Sequence, residues 1–162
     1  MLDPRSLPEE ELLSQARAAL KARQYEPARD FFGEYCGRFA DARMPVPPGV
    51  IASYALARGH MRELKAALDM CRRALSADRS NPYIHACLAE LYLLAGSRRQ
   101  AVEAVRRGLA TSPDYPVLLR LRQEMGVRQR PAIGFLSRGS RVNIALGRAR
   151  RKIRSGPRSP RP

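Results

Sequence analysis

The chain has no tryptophan, and its aromatic residues make up 6% of 162 positions. So few large rings leave a core to be built from alanine and leucine on helices, which excludes an aromatic-rich sandwich or barrel. No long apolar run interrupts the sequence, so no stretch reads as a membrane span. Cysteine is scarce too: Cys36, Cys71 and Cys87 form no C-x-x-C pair and are too scattered for a disulfide framework. Each falls on an apolar helical face, where a free thiol behaves as a small hydrophobe. His60 and His85 are the two histidines. His85 and Cys87 stand two apart, so on a helix they point to different sides and cannot share a metal. There is no glycine-rich phosphate loop, no H-E-x-x-H, and no Cys, His and acid in a workable arrangement. These gaps give the expectation of a non-catalytic protein with no cofactor, no metal and no small-molecule substrate.

Acid is also missing from one end. Glu124 is the last acidic residue, and eleven of the thirty Lys and Arg residues follow it. The tail thus carries most of the formal charge of +15. The N-terminus is the reverse, M-L-D-P-R-S-L-P-E-E-E-L-L, with acids where a signal peptide needs a basic start and an apolar run. The expected location is the cytoplasm, or the cytoplasmic surface of a membrane.

What is present is helical periodicity. Between Pro82 and Pro113, Ile84, Cys87, Leu88, Leu91, Tyr92 and Ala95 recur at three- and four-residue steps, followed by Ala101, Val105, Gly108 and Leu109. Gly96 separates the two runs. His85 fills a large first slot, Leu88 and Ala89 a Leu-small pair, Tyr92 a Tyr slot and Ala101 a helix-contact slot; Val105 takes an aromatic slot, Gly108 the last small one, and Pro113 closes the unit. This pattern resembles the tetratricopeptide repeat, a helix-turn-helix unit of about 34 residues. Two further units align with it. Ala16, Ala28 and Phe32 take corresponding slots in the first, and Tyr54, Ala55, Leu64, Ala67, Cys71, Ala74 and Leu75 in the second. Ala67 to Ala101 spans 34 residues, and Ala28 to Ala67 spans 39, the excess falling in a proline-rich stretch. The middle unit departs from the pattern with Arg58 where Tyr is usual, and with Gly59, expected to weaken the end of its helix.

The expected architecture is therefore all-α. It comprises units over about 7–39, 48–78 and 82–113 and a capping helix over 115–125, within a repeat domain spanning 7–125. The resemblance implies a right-handed superhelix. A capping box at Ser6 and Glu9 is expected to open the first helix, and a loop is expected from Gly37 to Gly49. Residues 126–162 form the basic tail, with an amphipathic helix expected over 140–154 and a disordered end.

The resemblance also implies a function: the first helices of each pair line a concave groove that holds a peptide or a partner helix. By slot, the groove residues are Glu10, Leu13, Arg17, Leu20 and Lys21, then Ala52, Leu56 and His60, then Tyr83, Ala86, Glu90, Leu93 and Leu94. The Lys and Asn set by which some family members clamp a C-terminal carboxylate is missing. The implied role is a protein-interaction adaptor or scaffold. In the tail, Arg148, Arg150, Arg151, Lys152 and Arg154 are candidates for electrostatic contact with an anionic partner: nucleic acid, the ribosome or a membrane surface. Phe135 is the only aromatic residue of the tail, which leaves it without a stacking platform for bases.

Overall fold

The computed structural model describes residues 3–126. They form seven α-helices: α1 (Glu9–Lys21), α2 (Tyr25–Asp41), α3 (Pro48–His60), α4 (Leu64–Ala77), α5 (Pro82–Leu94), α6 (Arg98–Thr111) and α7 (Pro116–Glu124). Consecutive helices pair as α1 with α2, α3 with α4 and α5 with α6. The pairs stack through α2 and α3, α3 and α5, and α4 and α5, and α7 closes the array against α5 and α6. The outward side of α7 exposes Arg120, Gln123 and Glu124, while Leu118, Leu121 and Met125 are buried. A polar outer face of this kind terminates a solenoid.

The slots of the pattern prove to be the packing points. Ala16, Ala55 and Ala89 on the first helices and Ala28, Ala67 and Ala101 on the second are all 0% exposed. A methyl group at each of these positions lets two helix backbones approach closely. Phe32, Cys71 and Val105 fill the aromatic slot and are likewise buried.

One turn geometry recurs in all three hairpins. Arg23, Arg62 and Gly96 adopt positive φ values of 60°, 68° and 70°. The amide after each of them bonds back across the turn: Gln24 to the Ala19 carbonyl, Glu63 to Arg58 and Ser97 to Tyr92, at 2.9, 3.1 and 2.8 Å. These bonds satisfy carbonyls left over at the helix end. Helix starts follow local chemistry as well. Pro48, Pro82 and Pro116 sit at the first turns of α3, α5 and α7, where the missing amide is harmless. The Asn81 side chain caps α5 by accepting from the Tyr83 amide at 3.1 Å.

Three expectations are corrected. Ser6 and Glu9 form no capping box: Ser6 Oγ donates to the Asp3 carbonyl, and residues Pro4–Ser6 make a short 3-10 turn capped by Asp3. Helix α1 then starts at Glu9, with Pro8 at its boundary and no side-chain cap. Second, α2 continues through Gly37 to Asp41. The aromatic contact that Phe39 makes with Tyr35, with ring centroids 4.6 Å apart, holds this extra turn, and the irregular stretch is confined to 42–47. Third, Gly59 is a close-contact position inside α3, which runs on to His60. A Cβ there would lie 2.2 Å from Leu91 Cδ2, so the missing side chain lets α3 and α5 meet. Arg58 replaces the usual Tyr by reaching from α3 towards α4: its Nε donates to Glu63 at 2.7 Å and its guanidinium lies over Tyr54 at 5.6 Å. The expected helix over 140–154, with Arg148, Arg150, Arg151, Lys152 and Arg154, and the expected disordered end lie outside the described residues.

Candidate partner groove

Helices α1, α3 and α5 stand side by side, with α7 beyond α5. The residues that the pattern assigns to their common face fall into two sets. Arg17 and Lys21 are exposed, and Leu94 is 41% exposed. Leu20, His60, Tyr83, Glu90 and Leu93 are half-buried. By contrast, Leu56 and Ala86 are 8% and 2% exposed and Ala52 is 0%; all three belong to the core between the helices. They support the surface from beneath and offer a partner almost no area. Leu20 packs against both halves of the core, tying the first pair to the second and third.

The polar members of this face are linked through residues that the pattern did not single out. His60 stacks on Tyr25 of the preceding pair, with centroids 3.7 Å apart and planes 4° from parallel. Burial, and then the charge of Arg23, holds the imidazolium below the ordinary histidine range, so the ring is neutral at pH 7. Burial pushes the Glu90 carboxyl above its usual range; Arg120 and Arg23 oppose that shift, and Glu124 adds to it. Arg23 thus acts electrostatically on both His60 and Glu90, although it sits in the α1–α2 turn. Its only sequence signal was its position before a helix start. The Tyr83 hydroxyl lies 2.8 Å from Ser53 Oγ, which donates its own proton to the Gly49 carbonyl at 2.9 Å, so Tyr83 is the donor between them. Burial raises the Tyr83 phenol far above its ordinary value. Tyr83 therefore joins α5 to α3 as well as bordering the face.

Two cavities lie elsewhere. One of about 350 Å³ lies between the N-terminal turn, α2 and Tyr54 of α3. Two of its acids are already paired, Asp30 with Arg29 at 2.7 Å and Glu34 with Arg38 at 2.9 Å. Arg38 also donates to the carbonyls of Pro4, Arg5 and Leu7, which fastens the N-terminal segment to α2. The other, of about 550 Å³, lies among α4, α5 and α6. The thiols offer no reactive centre: burial pushes Cys36 up to about 11 and Cys71 up to about 12, and raises Cys87 as well. Among the described residues, no three His, Cys, Asp or Glu side chains are grouped to hold a metal, and no helix is long and apolar enough to cross a membrane.

Comparison with known proteins agrees with this arrangement. Residues 60–125 match the family model described as tetratricopeptide repeat. No curated protein sequence matches the chain. Among solved structures, the Arabidopsis OM64 TPR domain is similar, with a TM-score of 0.58 over 73% of this chain and 93% of that one, at 16% identity. At such identity the likeness concerns the fold. Three stacked hairpins with small residues at their contacts, a polar closing helix and these two similarities show a tetratricopeptide-repeat fold, with residues 60–125 matching the repeat's own family model.

Proposed function

We propose that this chain is a non-catalytic adaptor that binds a peptide or helix of a partner protein across α1, α3 and α5. The observation that carries the reading is the character of that face. Leu94 is one of two large apolar side chains left exposed among the described residues, the other being Met44. It lies one helical turn from Glu90 and shares its helix with half-buried Leu93. Arg17 and Lys21 supply exposed positive charge from α1, and Glu90 supplies a partly desolvated carboxylate. An amphipathic segment bearing both a hydrophobic anchor and charges of both signs matches this surface.

The basic tail fits a second, electrostatic contact with an anionic partner. Each Lys or Arg held near an anionic surface contributes about 1 kcal/mol, so several together provide reversible attachment. Neutralised phosphates release counterions, which gives such contact a steep salt dependence. Nucleic acid, the ribosome and an anionic membrane surface all satisfy that chemistry.

The experiment is affinity purification with quantitative mass spectrometry on three forms: the whole chain, Lys21→Glu with Leu94→Asp, and a chain truncated after Gly126. Both substituted residues are exposed, so the fold should survive, which circular dichroism checks. Loss of a recovered protein in the groove variant, with retention in the truncated form, supports the groove. Recovery that ignores the groove substitutions and vanishes on truncation assigns binding to the tail.

A further inference from the structure

We propose that the cavity among α4, α5 and α6 is a second docking site, which takes an acidic peptide segment bearing one large apolar side chain. This site is separate from the face across α1, α3 and α5. His85, Leu88 and Tyr92 line it from α5, and at about 100° per residue Leu88 and Tyr92 lie on the side of that helix turned away from Glu90.

Three observations define the occupant. The space of about 550 Å³ has an apolar floor of Leu75, Leu88 and Tyr92, which suits an inserted hydrophobic side chain. Its rim is basic. Arg99 makes no ion pair among the described residues, and Arg107 shares the single carboxylate of Glu103 with Arg106, at 2.9 and 2.8 Å. Two guanidinium groups around one carboxylate leave donors for another anion. The surrounding surface has the same sign: α4 and α6 expose Lys65, Arg72, Arg73, Arg99, Arg106 and Arg107, against exposed Asp69 and half-buried Glu103. Such a surface repels a basic occupant, the chain's own residues 127–162 included.

His85, in the same wall, offers the occupant no polar atom. His85 is 4% exposed, and its Nε2 lies 3.1 Å from the Arg79 carbonyl, which fixes Nε2 as the protonated nitrogen. Nδ1 is then an acceptor, and it is buried with no partner. A buried acceptor without a donor is costly. Nucleic acid fits less well, because Tyr92 is 9% exposed and the Arg72 guanidinium lies over its ring at 5.7 Å, leaving no free aromatic face for a base.

The probe is a fluorescein-labelled peptide with one phenylalanine inside a run of glutamates, titrated into the whole chain at about physiological salt. Its controls carry serine for phenylalanine or glutamine for glutamate, and an oligouridylate of equal length is the competitor. We expect saturable anisotropy that weakens at least about tenfold with Arg99→Glu plus Arg107→Glu, and similarly with the serine control. Leu94→Asp should leave it unchanged. With photoreactive benzoylphenylalanine in the probe, cross-links should fall within residues 64–111. Equal binding of the serine peptide, cross-links confined to 127–162 or to α1 and α3, or displacement by oligouridylate at lower concentration than by unlabelled peptide would each overturn the proposal. If the glutamate pair unfolds the protein, Arg99→Gln with Arg107→Gln gives the same comparison.

Discussion

Gly108→Ala tests whether small residues at helix contacts set this fold. Gly108 lies within α6, at the start of its last turn, and is buried. On helix propensity alone, replacing glycine by alanine stabilises a helix interior by about 1 kcal/mol. The surroundings oppose that gain. A Cβ at 108 would stand 2.5 Å from Leu118 Cδ1, 2.8 Å from His85 Cβ and 3.3 Å from His85 Cγ. Leu118 could rotate its methyl group, although it is 0% exposed. His85 Cβ cannot yield without moving α5 itself. Overpacking of this kind typically costs about 1–3 kcal/mol. The net expectation is a destabilisation of up to about 2 kcal/mol, or a fall of up to several degrees in the thermal midpoint. Gly37→Ala is the matched control, since it also lies inside a helix but a Cβ there meets nothing within 4 Å. It should stabilise by about 0.5–1 kcal/mol. Urea denaturation of the three proteins measures both signs at once. If Gly108→Ala stabilises as much as Gly37→Ala, the close approach of α6 to α5 and α7 is wrong.

Further outcomes follow from the turns and from the groove. Arg62→Gly should stabilise by about 1 kcal/mol, because an exposed arginine occupies a left-handed conformation that glycine adopts without steric cost; an unchanged urea midpoint would refute that strain. Glu90→Gln should stabilise the protein at pH 7. The folded state raises the Glu90 pKa, so its favourable contribution is complete below the unfolded-state value and is lost as pH rises through the folded one. The advantage of the glutamine variant should close by about pH 4, whereas a constant difference across that range would contradict a desolvated Glu90.

Periodicity revealed the helices because every first-helix and second-helix contact uses alanine at a repeated offset, and Ala16, Ala55, Ala89, Ala28, Ala67 and Ala101 all proved fully buried. The same rule misjudged Gly59. A glycine near a helix end reads as a weak point, and only the position of Leu91 on another helix reveals it as a contact. The extra turn of α2 was hidden for a similar reason, since Gly37 argues against helix locally and Phe39 argues for it through packing on Tyr35. In the candidate groove, the assigned slots of Leu56 and Ala86 turned inward because neighbouring helices close over them. Arg23 and Arg120 emerged as partners of Glu90 only once residues far apart in the chain were brought together. Nothing in the sequence marks the unpaired Nδ1 of His85, which depends on the Arg79 carbonyl taking the other nitrogen.

The central claim is that a partner protein is held by the face of α1, α3 and α5. Its most direct test is comparative affinity purification of the whole chain against Lys21→Glu with Leu94→Asp, read by quantitative mass spectrometry. The expected result is at least one protein enriched by the whole chain, lost with the substituted groove and kept when residues 127–162 are removed. An enriched set indifferent to the groove substitutions would contradict the claim.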